Sequence, residues 1–194
     1  MLTTTLKPKR CKARACGREF APSRPMQAVC SPLCGLTLAR AKREQDEAEK
    51  RRQERARDRE RRERAKTRSQ WAREAQAAVN AWVRLRDEGR PCISCGRMHE
   101  GQWHAGHYLS RGARPELALH PDNVARQCAP CNLHLHGNQA AFRVGLIERI
   151  GLERVLALEG PHTPAKHTAD DYRRIRDEYR AKTKAIKDQL KERE

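Results

Sequence analysis

Aromatic and large apolar side chains are scarce in this 194-residue chain. Aromatic residues make up 4% of it and hydrophobic residues 37%, against roughly 45–50% apolar residues in ordinary globular domains. The segment MLTTTLKPKRCK has no apolar core of signal-peptide length, and no apolar run reaches the length of a membrane span. We therefore expect a cytoplasmic protein without a membrane anchor, part of which is not packed into a core.

Acidic residues are also few in relation to basic ones. The chain has 25 Asp and Glu against 42 Lys and Arg, a formal net charge of +17 and a pI near 10.1. Such a surface attracts anionic polymers and repels copies of itself. Nucleic acid is the leading partner that this charge indicates, and an anionic membrane surface is the rival.

Cysteine, by contrast, is plentiful and paired in the middle of the chain. Cys92 and Cys95 form one C-x2-C pair, Cys128 and Cys131 form a second, and 32 residues lie between the two pairs. This spacing is typical of a tetrahedral zinc site, whereas disulfides would need an oxidising compartment that nothing else in the sequence suggests. The loop between the pairs carries His104, His107, His120 and Asn123.

The other four cysteines lie near the N-terminus. Cys11, Cys16, Cys30 and Cys34 have looser spacings, which still fit a small treble-clef or ribbon site. A module this short has too little apolar surface for a core of its own, so we expect a second structural zinc ion to fold it. The preceding residues 1–9 are interpreted as a disordered basic arm, either in contact with phosphate or simply solvated.

Two different helices follow this module. Residues 40–66 are almost entirely Ala, charged residues and Gln, which predicts a solvated helix that is either a basic rod along nucleic acid or a spacer. From Ser69 the apolar residues recur at helical spacing until Gly89. Trp71 and Trp82 on this second helix are predicted to be core residues beneath the central zinc site, and base stacking is the alternative.

The C-terminal part is predicted to be helical as well. Residues 140–150 and 152–158 give two short helices, and a final helix begins at Thr168 with a capping box to Asp171. Its narrow apolar stripe suits either intramolecular packing or the seam of a homodimer. We predict an α+β fold, mostly helical, with an N-terminal zinc module (1–39), a charged helical linker (40–68), a zinc-clipped domain (69–160) and a C-terminal helix (161–194).

The loop between the central cysteine pairs has the pattern of a small catalytic site. Residues 102–109 are predicted to form a strand, residues 111–115 a hairpin turn, and Asp122-Asn123 the start of a helix. Two strands and a helix clipped by zinc would hold a histidine near a second, oxygen-bound cation. Hydrolysis of a phosphodiester needs that pair of groups: an imidazole that accepts a proton and a divalent cation that stabilises negative charge.

Several motifs in this region resemble a known family. Cys92-Ile-Ser-Cys95, Ala105-Gly106-His107-Tyr108, Asn123 and Gln127-Cys128-Ala-Pro-Cys131-Asn132-Leu-His134 are similar to the HNH, or His-Me finger, endonucleases. The order of cysteine cluster, charged helix, Trp-bearing helix and loop over most of the chain resembles the NinG (Rap) recombination proteins of lambdoid phages. The resemblance implies a structure-specific endonuclease that cuts Holliday junctions and displacement loops, with phage or host recombination proteins as further partners.

The resemblance also implies roles for individual residues. His107 would be the general base and Asn132 a ligand of a catalytic Mg²⁺ or Mn²⁺ ion, while His134 and Asn123 would bind metal or phosphate or orient His107. Gly106 departs from the wider class, in which Asp or His often precedes the base. His104 is the candidate substitute, but three positions along a regular strand it points the opposite way from His107. Arg111, Arg114 and Arg126 are candidates for gripping phosphate. A non-catalytic zinc protein that binds nucleic acid and a less selective HNH nuclease are the alternatives.

Overall fold

The computed structural model describes residues 7–192 and has two compact units, Met1–Ala65 and Lys66–Glu194. The chain is about 58% helical with two small sheets, which confirms the predicted α+β class. In order, its elements are β1 (Lys9–Arg10), β2 (Glu19–Phe20), α1 (Pro32–Arg64), α2 (Arg68–Arg86), β3 (Trp103–His107), β4 (Val124–Cys128), α3 (Gln139–Ile150), α4 (Leu152–Glu159) and α5 (Ala169–Lys191).

The first unit combines a two-stranded ribbon with a long helix. Strand β1 pairs antiparallel with β2, so Lys9 is part of a strand rather than of a disordered arm, and residues 1–6 lie outside the described part of the chain. Helix α1 begins earlier than predicted, because Ser31 caps it by accepting a hydrogen bond from the backbone of Cys34 and Pro32 fits its first turn. The helix contains no buried residue, so charged pairs such as Glu60 with Arg64 support it instead.

Helices α2 and α5 pack together in the second unit. Both begin with a capping box, Thr67 with Gln70 and Thr168 with Asp171, and the second of these was predicted. Val79 and Val83 of α2 and Tyr179 of α5 belong to one buried cluster. This half of the α5 stripe is therefore used within the chain, whereas Leu190 at the other end is exposed.

The two tryptophans of α2 are core residues, as predicted, but the predicted position beneath the central zinc site is wrong. They lie in the layer formed by α2 and α5. Trp71 is buried with the guanidinium of Arg176 over its ring, and Trp82 meets the edge of Tyr179 at 5.1 Å between centroids. The tryptophan that packs against the central cysteines is Trp103. Helical periodicity identified a buried face, but it carried no information about which element covers that face.

The β3–β4 hairpin lies between two helical layers. The strands are antiparallel, with Gly106 opposite Ala125 and His107 opposite Val124. The predicted helix from Asp122 is wrong: residues 121–123 form a single 3₁₀ turn, and the chain continues as β4. Burial on both faces explains the difference, because Val124 packs with the cluster of α2 and α5 and Ala125 with that of α3 and α4.

Helices α3 and α4 cover the other face of the hairpin, close to their predicted bounds. Phe142, Leu146, Val155 and Leu158 fill the space between them and the hairpin. Gly145 lets α3 approach the first cysteine pair, since a Cβ at this position would overlap the backbone carbonyl of Ile93. The observed order is therefore strand, strand and then helix, with the cysteine pairs at the base of the hairpin.

Asp87, just after α2, links α2 to α3 and β4 through charged hydrogen bonds. Its buried carboxylate accepts hydrogen bonds from Arg86 at 2.8 Å, from Arg149 at 3.0 Å and from the backbone N–H of Arg126 at 3.0 Å. Burial acts to raise the pKa of this carboxyl, but Arg86 and the other two donors lower it below its usual value. The carboxylate is thus charged and fully paired in the folded protein.

Replacing Asp87 with Ala is expected to lower the free energy of unfolding by about 3–5 kcal/mol, because Arg149, whose side chain is only 16% exposed, would lose its counter-charge. Urea unfolding with zinc present measures this. Asp188→Ala is the control, since its pair with Lys184 is exposed to solvent and should contribute little to stability. Equal losses of unfolding free energy in the Asp87→Ala and Asp188→Ala variants would contradict this assignment.

The contribution of Asp87 to stability should depend on pH. Because the pKa of Asp87 is lowered in the folded state, this contribution is present above its unfolded pKa and is lost as the pH falls through the folded pKa.

Candidate active site and metal centres

The central cysteines converge at the base of the hairpin. The Sγ atoms of Cys92, Cys95, Cys128 and Cys131 all lie within 4.8 Å of one another, with 3.9 Å between Cys95 and Cys128. Four sulfurs at 2.3 Å from a zinc ion are about 3.8 Å apart, whereas a disulfide requires about 2.05 Å. All four thiols are free, so the geometry fits a zinc ion and not two bridges.

The N-terminal cysteines form a second cluster of the same kind. Cys11, Cys16, Cys30 and Cys34 also lie within 4.8 Å of one another, and the sulfur of Cys30 is 3.6 Å from those of Cys16 and Cys34. The ribbon supplies the first two cysteines, the loop after it the third, and the first turn of α1 the fourth. The predicted grouping of cysteines is confirmed: two clusters of four could each hold a zinc ion.

The thiols of each cluster differ in how readily they ionise. The backbone N–H of Cys30 lowers the pKa of Cys11 to about 7. Burial acts to raise the pKa of Cys92, but backbone donors, first that of Cys128, lower it to about 7. In contrast, the Cys16 thiol and burial raise the pKa of Cys30 to about 12, and burial raises that of Cys128 to about 12. A divalent cation offsets the charge that four thiolates would otherwise concentrate.

His107 ends β3 on the side of the hairpin that faces α2. Its Nε2 lies 3.0 Å from the carbonyl oxygen of Ala118 and 3.4 Å from the amide nitrogen of Gln76. A carbonyl only accepts, so Nε2 carries the proton and donates to Ala118, and the unprotonated lone pair is on Nδ1. Burial lowers the pKa of His107, with a further contribution from the charge of Arg111, while the bond to Ala118 opposes them. The ring is therefore a neutral base with a fixed tautomer.

Asn123 braces the loop that follows β3. Its Oδ1 accepts from the backbone of Leu109 at 2.8 Å, and its Nδ2 donates to the carbonyls of Leu109 and Leu117 at 3.0 Å. The side chain is completely buried. It therefore has no surface with which to meet phosphate or a solvent-borne ion, and of its predicted roles only positioning is compatible with this geometry. The loop that it braces carries Ala118, the partner of His107.

Gly106 is required by the side chain of Gln127. A Cβ at residue 106 would lie 3.1 Å from the Cβ of Gln127 and would overlap its Oε1. The amide of Gln127 cannot simply turn away, because its Nε2 donates to Ser94 Oγ at 2.7 Å and to the carbonyl of Gly137 at 2.6 Å. This explains why the chain has no Asp or His before His107. Sequence reasoning missed Gln127, since its place opposite β3 depends on the strand that was predicted as a helix.

Gly106→Ala is expected to destabilise the protein by about 1–3 kcal/mol, the usual result of overpacking a filled core. Gly101→Ala is a matched control, because a Cβ there would meet no atom within 4 Å. Chemical denaturation of the two variants measures the difference. If both unfold like the parent protein, Gln127 is not held as the structure shows.

Asn132 and His134 lie in a short π-helical turn, Pro130–His134, that starts within the second cysteine pair. Asn132 is half-buried and His134 is exposed. Within residues 7–192 no protein group hydrogen-bonds to either side chain, so both have their full bonding capacity available. Leu133 between them is also exposed.

The three predicted phosphate-binding arginines have different surroundings. Arg114 pairs with Glu116 and donates to the carbonyl of Gly160 at 2.8 Å. Arg126 stacks on Trp103, with 3.8 Å from its guanidinium carbon to the ring centroid. Arg111 is exposed and makes no hydrogen bond or ion pair with the described residues. Arg111 is thus the member of the set that is available to a ligand.

The remaining histidines have local roles or none. His120 accepts a hydrogen bond from the backbone of Asp122 at its Nδ1, and His162 lies against carbonyls at the end of α4. His99 contacts the sulfur of Cys95 at 3.4 Å, and His136 occupies a turn with positive φ. His167 stacks against a tyrosine of α5.

None of the helices formed by residues 7–192 is long and apolar enough to span a membrane.

Comparison with known proteins gives a family for the whole chain. Residues 4–189 match the family model described as the bacteriophage lambda NinG protein. The protein ninG of Salmonella phage P22 is 44% identical over 195 residues, which cover 95% of this chain and 96% of the relative. The protein ninG of Escherichia phage lambda is 43% identical with the same coverage, and that of Escherichia phage 933W is 42% identical over 96% of this chain and 98% of its own length. No solved structure matches at a significant level. The chain, which has two cysteine clusters and a histidine-bearing hairpin between the two cysteine pairs of the second cluster, therefore belongs to the NinG family of phage proteins.

Proposed function

We propose that this protein is a metal-dependent endonuclease that cleaves branched DNA during phage recombination. The single observation that carries the proposal is the state of His107: a neutral imidazole at the end of a strand, with Nε2–H fixed on Ala118 and the lone pair on Nδ1. A general base needs a neutral ring, a fixed tautomer and a supporting partner. A histidine that served only to fill space would not require all three.

His107 would accept a proton from the water that attacks phosphorus. Because the charge of Arg111 lowers the pKa of His107 and its guanidinium is exposed, the same arginine could meet the phosphate beside the scissile bond. Asn123 contributes by positioning, since it holds the loop that carries Ala118. The ββα order of β3, β4 and α3 is consistent with the His-Me finger that the motifs resemble, and we propose that core for this chain.

Asn132 and His134 are the candidates for holding a divalent cation, Mg²⁺ or Mn²⁺. Hard cations take amide, carbonyl and carboxylate oxygens, and the Asn132 side chain offers an amide oxygen. Within residues 7–192 no protein group hydrogen-bonds to the side chain of Asn132 or of His134. When bound, the cation would supply positive charge to the phosphate and to the leaving oxygen.

The net charge of +17 supports DNA as the substrate. Basic residues alone bind nucleic acid without regard to sequence, through displaced counterions. Branched DNA as the preferred form follows from the family resemblance and from the shortage of aromatic residues for reading single-stranded bases. A homodimer would place two such sites across a junction.

Incubating the zinc-loaded protein with a labelled four-way junction and Mg²⁺ or Mn²⁺ tests the proposal. Paired nicks near the branch point are expected. Binding without products would favour a non-catalytic nucleic-acid-binding protein, and equal cutting of linear duplex would favour a less selective nuclease.

The pH dependence of cleavage should report His107. Because its pKa is lowered, the neutral form persists below pH 6.5, and kcat/KM should rise with pH and level off below the ordinary histidine range. Arg111→Gln removes a charge that lowers this pKa, so the acid limb should move to higher pH. Single-turnover rates from pH 5 to 8 measure both. A limb that stays in place in Arg111→Gln, as in the exposed control Arg173→Gln, would show that another group titrates.

A further inference from the structure

Four arginines of helix α1 lie in a row on its surface, and we call this row the arginine stripe. Its members are Arg52, Arg55, Arg59 and Arg62, which follow one another at steps of three, four and three residues. Residues at these spacings lie on one side of an α-helix. At a rise of about 1.5 Å per residue, the stripe is about 15 Å long. All four residues are exposed.

The folded chain provides no counter-charge for the arginine stripe. Within residues 7–192 no carboxylate forms an ion pair with any of its four members. Other arginines of the same helix are paired with acids three or four residues away: Arg51 with Glu47, Arg61 with Asp58, and Arg64 with Glu60. Asp58, which lies beside the stripe, is thus bound by Arg61 at 2.9 Å and not by a member of the stripe.

This arrangement works against the stability of helix α1. Arginines three or four residues apart repel each other, and the helix has no buried residue whose packing would offset that repulsion. The segment around the stripe is basic as well, because residues 50–64 contain nine Lys and Arg against four Asp and Glu. An anionic ligand bound along the stripe would remove the repulsion.

The length of the arginine stripe fits the backbone of a nucleic-acid duplex. One strand of B-DNA carries a phosphate about every 3.4 Å along the axis, so a stripe of about 15 Å extends over about four phosphates. Guanidinium groups bind phosphate oxygens through paired hydrogen bonds. Helix α1 contains no aromatic residue, whereas the binding of single strands relies on aromatic side chains that stack on the bases. A duplex therefore fits the stripe better than a single strand does.

We propose that the arginine stripe binds the sugar-phosphate backbone of a duplex DNA arm, with one phosphate contact for each arginine. Contacts of this kind position the protein on the duplex and carry no base sequence. Helix α1 is then a DNA-binding element and not only a spacer. That the nucleic acid is DNA rests on the proposed function, but the contact itself can be measured without cleavage.

The salt dependence of DNA binding tests the proposal. In the stripe variant all four arginines are replaced with Gln, whose helix propensity is close to that of Arg. The control variant loses the same charge from exposed basic residues of α1 that lie off the stripe and form no ion pair within residues 7–192. Its substitutions are Arg40→Gln, Arg43→Gln, Lys50→Gln and Arg57→Gln. Fluorescence anisotropy in magnesium-free buffer, with the zinc-loaded full chain and a labelled linear duplex or four-way junction, gives the association constant at each KCl concentration.

The slope of the logarithm of the association constant against the logarithm of the KCl concentration counts the phosphate contacts. Each contact contributes about 0.9 to the slope, so the stripe variant should have a slope that is shallower by about 3–4 on both DNAs, and the control variant by less than about 1. Circular dichroism and a content of two zinc ions per chain show that a variant is folded. If the stripe variant loses helix, the double variant Arg55→Gln, Arg59→Gln takes its place, with an expected change in slope of about 2.

Other results would overturn the proposal. An unchanged slope in the stripe variant would leave α1 a solvated spacer, and equal changes in the two variants would show that net charge alone matters. A change on the junction but not on the linear duplex would place the contact at the branch point and not on an arm. Cleavage of junctions by the parent protein together with an unchanged slope would refute the stripe and leave the proposed function standing. The expected slopes without any cleavage would do the reverse.

Discussion

His107→Ala is expected to reduce the rate of junction cleavage by a factor of about 10²–10⁴, the range associated with loss of a general base. Junction affinity and the two zinc ions should be unchanged, because His107 contributes no ligand to either cysteine cluster. The loss follows from removing the Nδ1 lone pair that the bond to Ala118 leaves available. Single-turnover cleavage with Mn²⁺ in excess measures the effect.

His162→Ala is the control for this experiment. That histidine lies against the carbonyls that end α4, on an exposed surface, and should leave the cleavage rate within about twofold of the parent. Cleavage by His107→Ala at the parental rate would contradict the assignment of His107 as the general base. Binding of the junction by both proteins without cleavage would leave a DNA-binding role only.

Cys30→Ser is expected to remove one zinc ion and unfold the ribbon of residues 7–31. The buried residues of that segment are Cys11, Ala13 and Pro22, which cannot form a core. Binding of a structural zinc ion contributes about 10–16 kcal/mol to the folding of comparable small modules. The metal content should fall from two to one per chain, and amide signals of this segment should collapse to unfolded positions. The second unit has its own hydrophobic clusters and should keep its spectrum.

Met26→Ser is the matched control, since this exposed side chain lies in the same segment as Cys30. It should keep two zinc ions and a dispersed amide spectrum. A Cys30→Ser protein that retains both would show that the N-terminal cluster is not a metal site. Loss of both zinc ions in Cys30→Ser would instead show that the two clusters depend on one another.

Much of this molecule follows from local patterns in the sequence. The spacing of Cys92, Cys95, Cys128 and Cys131 predicts a four-sulfur cluster whatever the path of the intervening chain, because two C-x2-C pairs supply the four thiolates of a tetrahedral zinc site. The helices also follow from local causes: α1 from its uninterrupted helix formers, and α5 from the box of Thr168 and Asp171. Charge composition alone indicated a polyanion as partner.

The tertiary structure decided the parts that depend on which segments meet. The sequence around Asn123 predicted the start of a helix. In the structure Val124–Cys128 pairs with β3 instead, and the side chain of Asn123 donates a hydrogen bond to the loop after β3. Strand pairing and burial on both faces outweigh a local cap. The tautomer of His107 depends on the carbonyl of Ala118, eleven residues further on. The clash that forbids a side chain at Gly106 comes from Gln127, on the other strand. The sequence by itself determined the grouping of the cysteines and the helices, because cysteine spacing, helix formers and caps can be read along the chain, whereas the chemistry around His107 is set by groups that only folding brings together.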